Sequence, residues 1–376
     1  MKHSEGSFGH DLDFLQKHQD TILLQAADNP KAMVAVAPDY QGRVMTSTAG
    51  GKEGNSYGWI NYELIASGAL GPHMNAFGGE DRLWLSPEGG QFSLYFAPGS
   101  SFDFEHWQTP PVIDSEPFER LERNDEMASF SKRAALKNHS GTPFDIEIYR
   151  KVRILNHKDI QNTFTLANLA NLEVVGYEST NALTNHGADW APSTGAIGIW
   201  ILGMFKPSAT TTIIVPFDGN IQNGLTADYF GPIPSDRLVV AEKALFLRAD
   251  GQYRSKIGLS PSLAHPIVGS YDRQQGLLTI VTYDLDKNGA YLKSTWEHHT
   301  HPYAGDVLNA YNDGPLEDGS QMGPFYELES SSAAHFLNKG ERLSHRHRTY
   351  HFSGAHALLE PIAQRYLQVS LSSLPF

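Results

Sequence analysis

The sequence predicts an all-β protein: a large antiparallel β-sandwich of the supersandwich kind, with a few short helices. Three observations carry that expectation. Apolar residues recur with a period of two along many short stretches, each bounded by Gly, Asn, Asp or Pro. A helical period appears only near the two ends of the chain. No fixed-period repeat points to a propeller. No Pro- or Ser-rich linker divides the 376 residues and charge is evenly spread, so a single domain over residues 1–376 is expected.

In order along the chain, residues 11–19 read as a short helix with Leu12, Phe14 and Leu15 on its apolar side. Residues 21–24 and 33–36 read as strands, separated by turn material at Asp28-Asn29-Pro30 and closed by Pro38-Asp39. The stretch FGGEDRLWLSPEGGQFSLYF, residues 77–96, sets four glycines and the charges Glu80, Asp81, Arg82 and Glu88 around Trp84, ahead of an alternating strand at 91–96. Phe144, Ile146, Ile148, Val152 and Ile154 alternate with Asp145, Glu147, Lys151 and Arg153, which predicts one long half-buried strand, or two separated by a bulge. Further strands are expected at 162–167, 172–183, 197–204, 210–217, 237–246, 276–283, 325–329 and 341–352. Residues 355–367 read as a final helix that Pro361 interrupts or restarts.

Charge and composition exclude several function classes. Twenty-nine basic residues face 42 acidic ones, a net charge of −13, so neither nucleic acid nor an anionic membrane, both of which need a cationic face, is an expected partner. Cysteine is absent, which removes disulfides, thiolate nucleophiles and cysteine metal sites. The first residues carry no apolar stretch of signal-peptide length, and no uncharged apolar run approaches the roughly 18 residues of a membrane span. A cytoplasmic location is expected as the sequence is written, or a periplasmic one had a leader been removed. The oligomeric state is not legible.

Three short motifs carry a resemblance. Phe77-Gly78-Gly79 with Trp84 is similar to the Gly-Gly turn that enters the site of hexose-phosphate epimerases. Leu183-Thr184-Asn185-His186 resembles the run around the catalytic histidine of aldose 1-epimerases. Tyr326-Glu327-Leu328-Glu329, followed by Leu337, Gly340-Glu341 and a long last strand, resembles the strand that bears the base glutamate ahead of a Leu-x-Pro-Gly-Glu turn, with Asn338-Lys339-Gly340-Glu341 standing here in place of that turn. In these features the chain resembles the galactose mutarotase-like superfamily. Gly-Gly-Glu-Asp-Arg, Pro-Glu-Gly-Gly-Gln and Tyr-Asn-Asp-Gly-Pro are similar to the marks of a Bacteroidetes-type branch of it that has no established substrate. The chain departs from the pattern after Trp84. The His-Gly-Gly or His-Gly-Phe segment that supplies a further substrate histidine is missing, and Pro110-Pro111 and acidic sequence stand there.

The resemblance implies a carbohydrate ligand and an anomeric interconversion that needs no cofactor. A base takes the proton of the anomeric hydroxyl, an acid protonates the ring oxygen, and the ring opens, rotates and recloses; each transfer contributes about 10²–10⁴-fold. Counted back from Gly340, Glu327 falls at the position of the base, and His186 at that of the acid. Glu329 alternates to the same strand face as Glu327, where two carboxylates together would raise one pKa.

Other candidates follow from residue chemistry. Arg82 can fork onto sugar hydroxyls or a carboxylate, Trp84 can stack on a pyranose face, and Glu80 and Glu88 can accept from hydroxyls, with the glycines letting backbone approach the ligand. The alternative is a structural ion pair of Arg82 with Glu80 or Glu88. Trp296-Glu297-His298-His299-Thr300-His301-Pro302-Tyr303 matches no HExxH-type metal motif and reads as a polar rim with His299 and His301 on one face; its three histidines and glutamate leave a divalent-ion site as the alternative, and no metal is assigned. The run 305–315 that follows reads as a loop offering Asn309, Asn312 and Asp313. His345, His347, Thr349 and His351 share one face of the last strand, opposite Arg346, Arg348 and Tyr350, and no catalysis is assigned there. Three functions stay open: an aldose 1-epimerase-like enzyme, a non-catalytic carbohydrate-binding protein, and a polysaccharide lyase or hydrolase with Tyr311 or Tyr229 as its base.

Overall fold

The twofold period is realised as three antiparallel sheets. A computed structural model describes residues 3–166 and 171–376. Ten strands form the largest sheet, in the spatial order Leu238–Val240, Ala244–Arg248, Thr211–Pro216, Ile267–Asp272, Leu277–Tyr283, Arg342–Ser353, Glu173–Asn185, Pro143–Ile154, Met127–Lys137 and Glu119–Arg123. Six strands form the second, in the order Leu225–Thr226, Ser255–Leu259, Leu308–Asn312, Tyr326–Ser331, Gly198–Phe205 and Arg82–Ser86. A three-stranded sheet of Ile22–Ala26, Asn29–Ala37 and Arg43–Thr48 joins the edge of the second through a bridge between Val44 and Asp81. The six-stranded sheet packs face to face on the ten-stranded one, which makes the expected sandwich.

Alternation decides what each face does. In Pro143–Ile154 every even residue is buried and every odd one is more exposed. The long strand is continuous, without a bulge, because its apolar residues never fall out of step. Two helices, His157–Phe164 and His356–Tyr366, cover part of the outer face of the ten-stranded sheet with Ile160, Phe164, Leu359 and Ile362. Pro361 sits inside the second helix without ending it. The first helix spans Phe8–His18; Ser7 caps it, and Phe8, Leu12 and Leu15 are buried.

Several expected elements differ. Residues 157–164 form a helix where a strand was expected over 162–167: Asn156 accepts from the Asp159 N–H and starts the helix, so a capping residue outweighs the β-favouring Thr-Phe-Thr run; Ala167 lies outside the described residues. Residues 91–96 are irregular rather than a strand, because the Ser93 hydroxyl bonds to the Glu88 carbonyl and accepts from the Tyr95 N–H. The run 305–315 is not all loop, since Leu308–Asn312 is a strand of the six-stranded sheet. Residues 237–246 contain a tight reversal between two strands, and Asn29-Pro30 lies in a strand, the turn being one step earlier at 27–28.

The sandwich interior holds polar groups as well as apolar ones. Arg150 and Asp81, both fully buried, pair at 2.7 Å; Ser179 donates to Asp81, and Arg150 also reaches Asn181 and the Gly42 carbonyl. Nearby, the Ser330 hydroxyl lies 2.8 Å from His345 Nε2 and 2.9 Å from His347 Nδ1. The histidine face of the last strand is thus its core face. Burial presses His345 down to about 3 and His347 to about 4. Unfolded imidazoles take up a proton near 6.5, so below that pH the unfolded chain binds more protons than the fold. The stability these histidines contribute is therefore complete above pH 6.5 and is lost as pH falls toward 4. Glu327 and Asp306, whose carboxyls are raised, act in the opposite sense, so the histidine part is read by difference. The stability gap between the protein and His347→Gln, from urea unfolding, should shrink between pH 7 and pH 4.5. A gap that stays constant would remove this account.

Candidate functional site

One strand, Tyr326–Ser331, divides its side chains between core and site. Tyr326, Leu328 and Ser330 face the ten-stranded sheet; Glu327 and Glu329 face the other way. Cross-strand register extends that outer face. Lys256, Tyr311, Glu327 and Met204 stand in one row, and Asn309, Glu329, Leu202 and Arg82 in the next. Trp200 and Trp84 pair in the row after that, their rings 5.5 Å apart and nearly perpendicular. These rows floor a cavity of about 830 Å³.

Charges alternate across the floor. Arg82 Nη2 meets Glu327 Oε1 at 2.8 Å, and Lys256 Nζ meets Glu329 Oε2 at 3.0 Å. The Trp200 indole N–H donates to the same Glu329 oxygen at 2.9 Å, and the Arg82 guanidinium stacks 4.3 Å from the Trp84 ring centroid. Burial pushes the Glu327 carboxyl up to about 7, with the Glu329 charge adding to the shift and Arg82 opposing it. Burial works against the Lys256 ammonium, but the Glu329, Glu88 and Glu327 carboxylates outweigh it and leave its pKa raised.

A second carboxylate stands on the wall. Asp306 accepts from the Tyr229 hydroxyl at 2.6 Å, and Asn309 donates to Tyr229 at 3.1 Å. Burial raises Asp306 to about 6. A Cβ at Gly258 would collide with the Asp306 carboxylate and the Tyr229 hydroxyl, so this strand glycine is what lets the pair lie against the sheet. Asp313 accepts from the Tyr311 hydroxyl at 2.8 Å and from the Gly323 N–H at 3.1 Å. Burial and the adjoining carboxylates push both phenols well above their ordinary value, so Tyr229 and Tyr311 act as donors, and a phenolate base at either is disfavoured. The mouth is apolar: Phe104, Phe230, Leu316 and Met322, between 40% and 62% exposed, ring it.

The structure gathers Glu327, Arg82, Trp84, Glu88, Asn309 and Asp313 around this one cavity. Glu88 accepts from the Trp296 indole at 3.2 Å, and its pKa is raised by burial. Glu329 lies fully buried beneath the lining, holding Lys256 and Trp200. Arg82 pairs with Glu327 rather than with Glu80 or Glu88.

Other candidates stand elsewhere. Glu80 is buried in the sandwich, accepting from Ser47, Tyr177 and His351. Its neighbours Gly78 and Gly79, at positive φ, bring the chain against Trp59 and Arg43 rather than against a ligand. His186 lies outside the cavity, 3.4 Å from Glu147 on the solvent face of the ten-stranded sheet. His299 is buried against Gly90, and His301 is exposed; neither lines the cavity, to which their segment contributes Trp296 instead. Among the described residues no group of three or more His, Asp or Glu side chains is gathered as a metal site. Lys256, Arg254, Trp200 and Asp306 were not singled out from sequence; the short alternation Lys256-Ile257 was the available signal for the first.

The sandwich and the cavity on its six-stranded sheet define a protein of the galactose mutarotase-like fold. Solved structures that share it include a candidate aldose 1-epimerase from Escherichia coli K12, at 13% identity and a TM-score of 0.53 over 88% of this chain and 99% of that one. A candidate mutarotase from Salmonella typhimurium matches at 9% identity and a TM-score of 0.51, over 90% of this chain and 92% of that one. A Synechocystis sp. PCC 6803 protein matches at 14% and 0.50, over 90% of this chain and 96% of that one. At such identities the likeness is one of fold. No curated protein sequence gives a significant match. The chain belongs to the family of unknown function DUF6786, whose profile matches residues 6–375. Among the described residues no helix is long and apolar enough to cross a membrane.

Proposed function

We propose that the chain binds a sugar in the 830 Å³ cavity and interconverts its anomers, with Glu327 as general base. The observation that carries this reading is the floor itself: a carboxyl raised to about 7 and fixed by Arg82, in a cavity that two indole rings also line. Indole faces suit the C–H side of a pyranose, and a base titrating near neutrality is matched to an anomeric hydroxyl. With His186 outside the cavity, the proton for the ring oxygen has to come from another group. Asp306, raised to about 6 and held by Tyr229, is the candidate that the cavity supplies.

Base and acid then have opposite requirements. Glu327 must be ionised and Asp306 protonated, so the rate should rise with pH through about 6, pass a maximum between about 6 and about 7, and fall above it. Anomer exchange followed by NMR on freshly dissolved hexoses, from pH 5 to pH 9, tests this. A hexose that binds and exchanges no faster than in buffer at every pH would leave a binding protein. That second reading is favoured by the missing histidine segment after Trp84 and by the position of His186.

A further inference from the structure

The cavity lining carries four cations, and three of them are committed. Arg82 rests on Glu327 at 2.8 Å, Lys256 on Glu329 at 3.0 Å, and Lys293 faces Glu297 at 3.9 Å. The fourth, Arg254, has no carboxylate within ion-pair distance among the described residues. Its guanidinium lies 3.9 Å from the centroid of the Phe230 ring at the mouth, and its Nε is buried without a hydrogen-bond partner. A stacked guanidinium keeps its edge free, and that edge offers parallel N–H donors spaced for a carboxylate. An uncommitted donor beside a cavity favours a ligand that brings the missing acceptor.

We propose that Arg254 and Phe230 form an anionic subsite, and that the sugar bound here is a sugar acid whose carboxylate pairs with Arg254. This rests on the sugar-binding reading given above. The uncommitted guanidinium matches a single negative charge. The carboxylates Glu88, Asp306, Asp313 and Glu327 also line the cavity, so a phosphate dianion meets more repulsion from them than a carboxylate does.

Titration calorimetry on the full chain at pH 7 compares D-glucuronate and D-galacturonate with D-glucose and D-galactose, and adds glucose 6-phosphate. The uronates should bind about tenfold or more tighter than their neutral counterparts, as a charge-assisted pair implies. Arg254→Gln should bring the uronates to within a few-fold of the hexoses, while Arg254→Lys should keep part of the preference. Unfolding curves that superimpose would show that the variants fold. The proposal is overturned if hexoses bind as well as uronates, if the phosphate binds tightest, or if Arg254→Gln keeps the preference; hexose binding would then leave the sugar reading standing. Failure of every one of these sugars to bind would remove both.

Discussion

Glu327→Gln is expected to slow anomer exchange by about 10²–10⁴-fold, the contribution of one positioned proton transfer, while sugar affinity changes only a few-fold. The substitution keeps the shape of the side chain and an oxygen for Arg82, whose Nη2 lies 2.8 Å from Glu327 Oε1. It removes the group that has to accept the proton. A drop in kcat without a matching rise in KM is the pattern of a lost transition-state interaction. Should exchange continue within a few-fold of the original rate, the base lies elsewhere, and Glu327 is only the counter-ion of Arg82.

Asp81→Ala is expected to be the most destabilising single change in the sandwich. It leaves the Arg150 guanidinium, fully buried and 2.7 Å from its partner, without a counter-charge. It also strips an acceptor from Ser179. Breaking a buried pair on one side costs about 3–5 kcal/mol, whereas replacing both members with apolar residues costs far less. Urea unfolding at pH 7.5 should show a large loss for Asp81→Ala and a partial recovery in Asp81→Leu with Arg150→Met. If the single change moves the midpoint no more than a typical surface substitution does, the pair is not what holds these two sheets in register.

The fold was legible because alternation is local. Pro143–Ile154 keeps its period over twelve residues, and burial follows it residue by residue. Met127–Lys137 pairs along its whole length with that strand, yet it escaped notice because its own pattern is broken by Ser131, Lys132 and Arg133. The site was legible in part. Glu327 was named by the resemblance, counted back from Gly340 to the family's base position, and the structure places it on the cavity floor. His186 sits in a matching tetrapeptide, but the face a strand end presents depends on which sheet the strand joins. Glu173–Asn185 joins the ten-stranded sheet, and that carries His186 away from Glu327. Lys256 and Arg254 belong to a short strand and its entry, where the sequence holds too few alternations to announce a face. The pairing of Lys256 with Glu329, 73 residues away, is set by the order of strands in the sheet and not by either segment.

The division of labour along Tyr326–Ser331 has a consequence for how the chain finds its fold. A slip of one residue against its neighbours would turn Glu327 and Glu329 into the dry interior and send Leu328 into water. Two carboxyl groups would lose Arg82 and Lys256 at the same moment, and Ser330 would lose both histidines. The candidate site is thus also an assembly gauge: the ion pairs on its floor reject the misaligned sheet, so the residues that shape the cavity also guard the alignment.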